Sequence, residues 1–117
     1  MSKFVLSLHS DIADHNCLQQ LSRFAHSAIQ GGHQIDCIFL YQDAVNHASQ
    51  YLQLSSDELN VQATWQALAD LDITLLLCVT AAEKRAIDVK NTGLFKVAGL
   101  AEFAMLSAKA DKWVQFK

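Results

Sequence analysis

The stretch Ile73-Thr74-Leu75-Leu76-Leu77-Cys78-Val79, running on into Thr80-Ala81-Ala82-Glu83-Lys84-Arg85-Ala86-Ile87, decides the fold. Its first half is apolar at every position but one, without the alternation of a half-exposed strand. Such a run reads as a strand buried on both faces, the habit of central strands in parallel sheets. The second half turns to helix-forming residues, with Thr80 placed to cap a helix over Ala81–Ile87. A strand that feeds directly into a helix is the repeating unit of a parallel sheet.

Upstream, Val61, Trp65, Leu68 and Leu71 make one apolar helical face, opened by the capping box of Ser55 and Glu58. Before it lies a polar segment, Gln42–Leu54, with a short helix around Asp43–His47. Ile35–Tyr41 reads as a second, mostly apolar strand. Leu18, Leu21, Ala25 and Ala28, widened by Cys17 and Phe24, mark a helix capped by Asp14 and ended by Gly31-Gly32. Phe4–Leu8 is the first strand.

Downstream, a turn at Asn91-Thr92-Gly93 leads to a short strand over Leu94–Val97. A helix from Gly99 to Lys109 follows, burying Leu100, Phe103 and Ala104, and Trp113–Phe116 closes the chain as a strand. Trp65 and Trp113 both read as core. Alternating strands and helices predict a single domain over residues 1–117. The fold class is α/β, a three-layer sandwich whose mainly parallel sheet of four to five strands carries helices on both faces.

Composition agrees. A chain of 117 residues that is 51% hydrophobic and 18% charged builds one domain with a proper core. The net charge of −3 argues against direct nucleic-acid binding, which leaves a basic footprint. The first apolar run, Phe4-Val5-Leu6, falls short of a secretion signal, and no stretch approaches the roughly twenty residues needed to cross a bilayer. Three cysteines, an odd number, then point to reduced thiols and a cytoplasmic location.

In parallel sheets the reactive crevice lies beyond the carboxyl ends of the strands. Cys78 stands there, where a buried strand gives way to a helix whose free amide groups, with Lys84 and Arg85, favour a thiolate. Glu83 works the other way. The bland alternative is that Cys78 is a small apolar residue of a buried strand. Tyr41, at the end of the second strand, is placed to line the crevice, whereas Cys17 and Cys37 read as structural. Five histidines, His9, His15, His26, His33 and His47, show neither paired ligand spacing nor clustering, so no metal is expected. His9-Ser10-Asp11 stands where a phosphate-binding glycine loop would follow the first strand, which disfavours a nucleotide cofactor.

Gly32-His33, Phe39-Leu40-Tyr41 with Val45-Asn46, Trp65, and Leu77-Cys78-Val79 with Ala81-Ala82 and Arg85 resemble, in order, the DsrE/TusD family of sulfur-relay proteins. The ending, Gly99-Leu100 and then Asp111-Lys112-Trp113-Val114-Gln115-Phe116, is similar as well. The resemblance implies a sulfurtransferase whose active cysteine falls on Cys78. It also implies TusB- and TusC-like partner subunits, or DsrF- and DsrH-like ones, in a hetero-oligomer. A TusA-like donor and a TusE-like acceptor would complete the relay. The destination would be 2-thiolation of tRNA wobble uridine or, in DsrE relatives, sulfur oxidation.

The expected mechanism is thiol exchange. The Cys78 thiolate takes the outer sulfur of a donor persulfide, and an acceptor thiolate later removes it. Amide groups at the helix start, around Thr80 and Ala81, and the Arg85 guanidinium would stabilise the anionic persulfide. The short Asp88–Gly93 segment and the neighbours of Cys78 also fit a second role, a non-catalytic assembly subunit. A nucleotide-binding module ranks third.

Overall fold

A computed structural model describes residues 1–11, 13–48 and 60–117. The sheet has five strands, all parallel, in the order β4-β3-β2-β1-β5. The chain runs β1 (Lys3–Leu8), α1 (His15–Gln30), β2 (Gln34–Leu40), a 3-10 helix (Gln42–Ala48), α2 (Asn60–Ala69), β3 (Leu75–Cys78), α3 (Val79–Lys84), β4 (Lys96–Ala98), α4 (Leu100–Lys109) and β5 (Lys112–Phe116). The α/β sandwich with a parallel sheet is as expected. The capping box of Ser55 and Glu58 lies outside the described residues.

From β1 the chain steps in one direction, through β2 and β3 to β4, so right-handed crossovers put α1, α2 and α3 on one face. Reaching β5 on the far edge requires the opposite direction, and α4 therefore returns across the other face. Both faces of β3 are thus covered, and all four of its residues are buried. That is why Leu75-Leu76-Leu77-Cys78 shows no polar alternation.

Local signals explain the best-formed elements. Asp14 caps α1 by accepting from the Cys17 amide at 3.1 Å, and Cys17, Leu18, Leu21, Ala25 and Ala28 form its buried stripe. The helix ends in a Schellman motif: His33 N–H donates to the Ala28 carbonyl, Gly32 N–H to that of Ile29. Gly32 takes the left-handed position at φ +84°.

Several boundaries differ from the sequence expectation. Thr80 is not the cap of α3: the helix starts at Val79, directly out of β3, and Cys78 itself is the N-cap residue. It ends at Lys84 rather than Ile87 because Ala86 turns left-handed, φ +56°, in a second Schellman arrangement with Ile87 N–H on the Ala82 carbonyl. β4 begins two residues late, at Lys96.

The described part of the segment after β2 holds the expected short helix, as a 3-10 helix, and is more buried than its polar sequence suggests. Ala44, Val45, His47 and Ala48 are buried, and the Trp65 indole, also buried, donates to His47 Nδ1 at 3.2 Å. On α4 only Phe103 is buried, stacked on Phe39 at 4.3 Å between ring centroids. Leu100 and Ala104 are exposed, because among the described residues no other helix lies on that face of the sheet. Trp113 is not core either: it is 46% exposed on the edge strand β5, with its indole N–H on Ser7 Oγ.

Candidate functional site

Adjacent strands β3 and β4 send their continuing helices to opposite faces, which opens a crevice at their carboxyl ends. A cavity of about 220 Å³ occupies that point, lined by Cys78, Thr80 and Ala81 from the β3–α3 junction. Tyr41 and Gln42, from the end of β2, form a second wall. Lys84 and Arg85 close it from α3, and Leu100 from the start of α4. Every residue singled out from the sequence, Cys78, Tyr41, Thr80, Ala81 and Arg85, meets here. Gln42 and Leu100 are the walls that sequence reading missed.

Cys78 is only 1% exposed yet borders this cavity, and its side chain makes no capping hydrogen bond. The first amides of a helix have no partner within it, and Cys78 stands at that end of α3. Glu83 lies at the far end of α3 and is exposed, not at the helix start. Neither Cys17 nor Cys37 lines that cavity. Cys17 and Cys37 are buried, and burial, with help from Asp36, pushes the Cys37 thiol up to about 12.

The two cations differ. Arg85 gives Nε and Nη2 to a single oxygen of Asp43, at 3.0 and 2.9 Å, and Nη1 to the Ala81 carbonyl at 3.1 Å. It ties α3 to the 3-10 helix. Lys84 has no ion pair among the described residues and leaves its charge at the cavity.

Beside this cavity lies a more open cleft of about 410 Å³, bordered by His9, Ser10 and Lys117 and sharing Tyr41 and Gln42. Gln42 adopts φ +54°, a left-handed backbone that costs a non-glycine residue roughly 1–2 kcal/mol. Burial lowers the pKa of His9, against the pull of a hydrogen bond with the Gln42 side chain, and Lys117 adds to the lowering. No group of three histidine, cysteine or carboxylate side chains able to hold a metal occurs among the described residues. No helix among them is long and apolar enough to cross a membrane.

Known proteins carry the same arrangement of chain. The sequence profile of the DsrE/DsrF-like family matches residues 2–116. The chain belongs to that family. It is 37% identical over 103 residues to a "Sulfurtransferase TusD homolog" of Pasteurella multocida, covering 79% of this chain and 82% of the relative. To a "Putative sulfurtransferase DsrE" of Allochromatium vinosum it is 26% identical, across 97% and 98% of the two chains. The crystal structure of the ychN protein from Escherichia coli superimposes with a TM-score of 0.80 at 21% identity, over 99% of this chain and all of that one. That likeness concerns the DsrE-like fold. It agrees with the parallel sheet described above.

Proposed function

We propose that this protein is a sulfur-relay subunit that carries a persulfide on Cys78. The single observation carrying the reading is the thiol's place at the β3–α3 junction, bordering a cavity and free of capping hydrogen bonds. Relatives named sulfurtransferases support the class of reaction. The Cys78 thiolate attacks the outer sulfur of a donor persulfide, R–S–SH. The donor's S–S bond breaks, R–S⁻ departs with the electron pair, and Cys78–S–SH remains. An acceptor thiolate reverses the step and restores Cys78. One cysteine suffices, since sulfur is passed on rather than closed into a disulfide.

Lys84, without an ion pair among the described residues, supplies positive charge to the anionic sulfur, and Thr80 and Ala81 line the same cavity from the helix start. Arg85 holds the wall through Asp43. The donor and acceptor are TusA- and TusE-like proteins, and TusB- and TusC-like or DsrF- and DsrH-like subunits complete the assembly. The destination in the TusD-like reading is tRNA wobble-uridine 2-thiolation, reached without direct contact with RNA, and in the DsrE-like reading sulfur oxidation.

The burial of Cys78 favours one competing reading, an assembly subunit that transfers nothing. Intact mass after incubation with a persulfide donor separates the two. The relay predicts a gain of one sulfur by the parent and none by Cys78→Ser. No gain, or equal gain by both, selects the assembly subunit.

A further inference from the structure

The helices on the two faces of the sheet meet solvent differently. On α1 the exposed residues are Asn16, Gln19, Gln20, Arg23, Ser27 and Gln30, all polar, as a helix facing water requires. On α4 five of the seven exposed residues are apolar, and Met105 is 62% exposed. Phe103 is the buried residue of this helix and marks its inward side. Ala101, Met105 and Ala108, at i, i+4 and i+7, share the opposite side as an apolar seam. Trp113, which packs edge-on against Phe103 at 5.3 Å between ring centroids, adds to the apolar surface of this face.

The charges of α4 say what fits that seam. It carries two, Glu102 in the first turn and Lys109 in the last. They stand two helical turns apart and so lie on one flank of the seam. Their midpoint falls between Met105 and Leu106. A two-fold axis through that point, perpendicular to the helix, lays a second α4 antiparallel to the first. Glu102 of each helix then meets Lys109 of the other, on the same flank. A parallel pair, with the two-fold along the helices, leaves these charges on opposite flanks and unpaired. A patch complementary to itself in this way is the mark of a contact between identical chains. The alanines at both ends of the seam let the helices approach to the near side of the usual range of about 8–10 Å between axes.

We propose that α4 is the contact between two copies of this chain, packed antiparallel around Met105, with Glu102 of each paired to Lys109 of the other. The proposal stands whether or not Cys78 carries sulfur. Leu100, at the start of α4, borders the Cys78 cavity. Antiparallel packing therefore sets the two cavities at opposite ends of the helix pair. One helix face is small beside the roughly 800 Å² per partner of a standard interface, so the association depends on concentration.

Sedimentation equilibrium of the full chain at low salt, over a wide range of protein concentration, tests this. The parent should pass from monomer to dimer, and Met105→Glu should stay monomeric where the parent is dimeric. Glu102→Lys and Lys109→Glu each set like charges opposite one another twice per dimer. Each should weaken association by several-fold to about tenfold, and added salt should narrow the difference.

Glu102 and Lys109 also suit the dipole of their own helix, and the swapped variant separates the two roles. Glu102→Lys with Lys109→Glu opposes the dipole at both ends yet restores opposite charges across the pair. It should dimerise nearly as well as the parent, with urea denaturation checking that every variant is folded. A swapped variant no better than the single ones, or a dimer untouched by Met105→Glu, would overturn the proposal. A parent that stays monomeric at every concentration would also overturn it and assign the face to an unlike chain.

Discussion

Arg85 and Asp43, 42 residues apart in sequence, are joined by two hydrogen bonds to one carboxylate oxygen, from Nε at 3.0 Å and Nη2 at 2.9 Å. The pair is partly exposed, with 29% and 62% of the two side chains accessible. Solvent screens it, so Asp43→Asn should cost less than about 1 kcal/mol. Arg85→Ala should cost more, since it also strips the Ala81 carbonyl of its donor. A double-mutant cycle by urea denaturation checks this. Strict additivity would mean the two residues do not act as a pair.

Lys84 carries the charge that Arg85 does not offer. Reversing it in Lys84→Glu should slow uptake of sulfur from an anionic persulfide several-fold to about tenfold, and added salt should narrow the gap. Arg85→Lys, which keeps charge but loses the fork to Asp43, should change uptake less. Rates measured across ionic strength decide between the two cations.

The thiols should separate cleanly in native protein. Iodoacetamide should label Cys78 before Cys17 or Cys37, because Cys78 alone borders the cavity. Cys37, held near 12 by burial, stays a thiol at neutral pH. Peptide mapping after partial labelling reads the order, and Cys37 reacting first would contradict the structure.

His47 makes stability depend on pH. Burial lowers its pKa from 6.5 to about 4 in the folded protein. The unfolded chain therefore binds more protons between those values, and stability should fall as pH drops from about 6.5 to 4. The loss is on the order of 3 kcal/mol at most. Below pH 4 this group adds no further change. In His47→Gln that slope should flatten, with Trp65 fluorescence, beside the imidazole, as the unfolding probe.

Ala86 occupies a left-handed position, φ +56°, at the exposed end of α3. Glycine belongs there sterically, though it also frees the unfolded chain. Ala86→Gly should raise stability by roughly 0.5–1 kcal/mol, visible as a higher urea midpoint with unchanged slope. A lower midpoint would show that the turn is not strained.

What the sequence disclosed was local. Asp14, the α1 stripe and Gly32 each satisfy a rule that spans a few residues, and so does the unbroken apolar run of β3. Cys78 and Tyr41 could be placed together because strand ends converge in any parallel sheet. Three features depended on distant partners and escaped. The Arg85 guanidinium is engaged by a carboxylate from another element. Trp113 resembles core in a strand, but β5 is an edge and Ser7 draws its indole N–H into one fixed direction. Leu100 and Ala104 follow the helical period, yet nothing among the described residues covers α4 on that side. Gln42 gave no warning, because a left-handed backbone at a glutamine has no signature.

The pairing of β1 with β5 sets a timing problem for the nascent chain. Lys3 and Asp111, 108 positions apart, exchange main-chain and side-chain hydrogen bonds at the join. During synthesis β1 and β2 can pair early, but the outer side of β1 stays open until β5 has left the ribosome. For most of translation that strand offers unpaired amides and carbonyls to any extended segment nearby. The parallel layout thus makes β5 a seal, and a transcript broken before Lys112 would yield a sticky fragment, not merely a shorter protein.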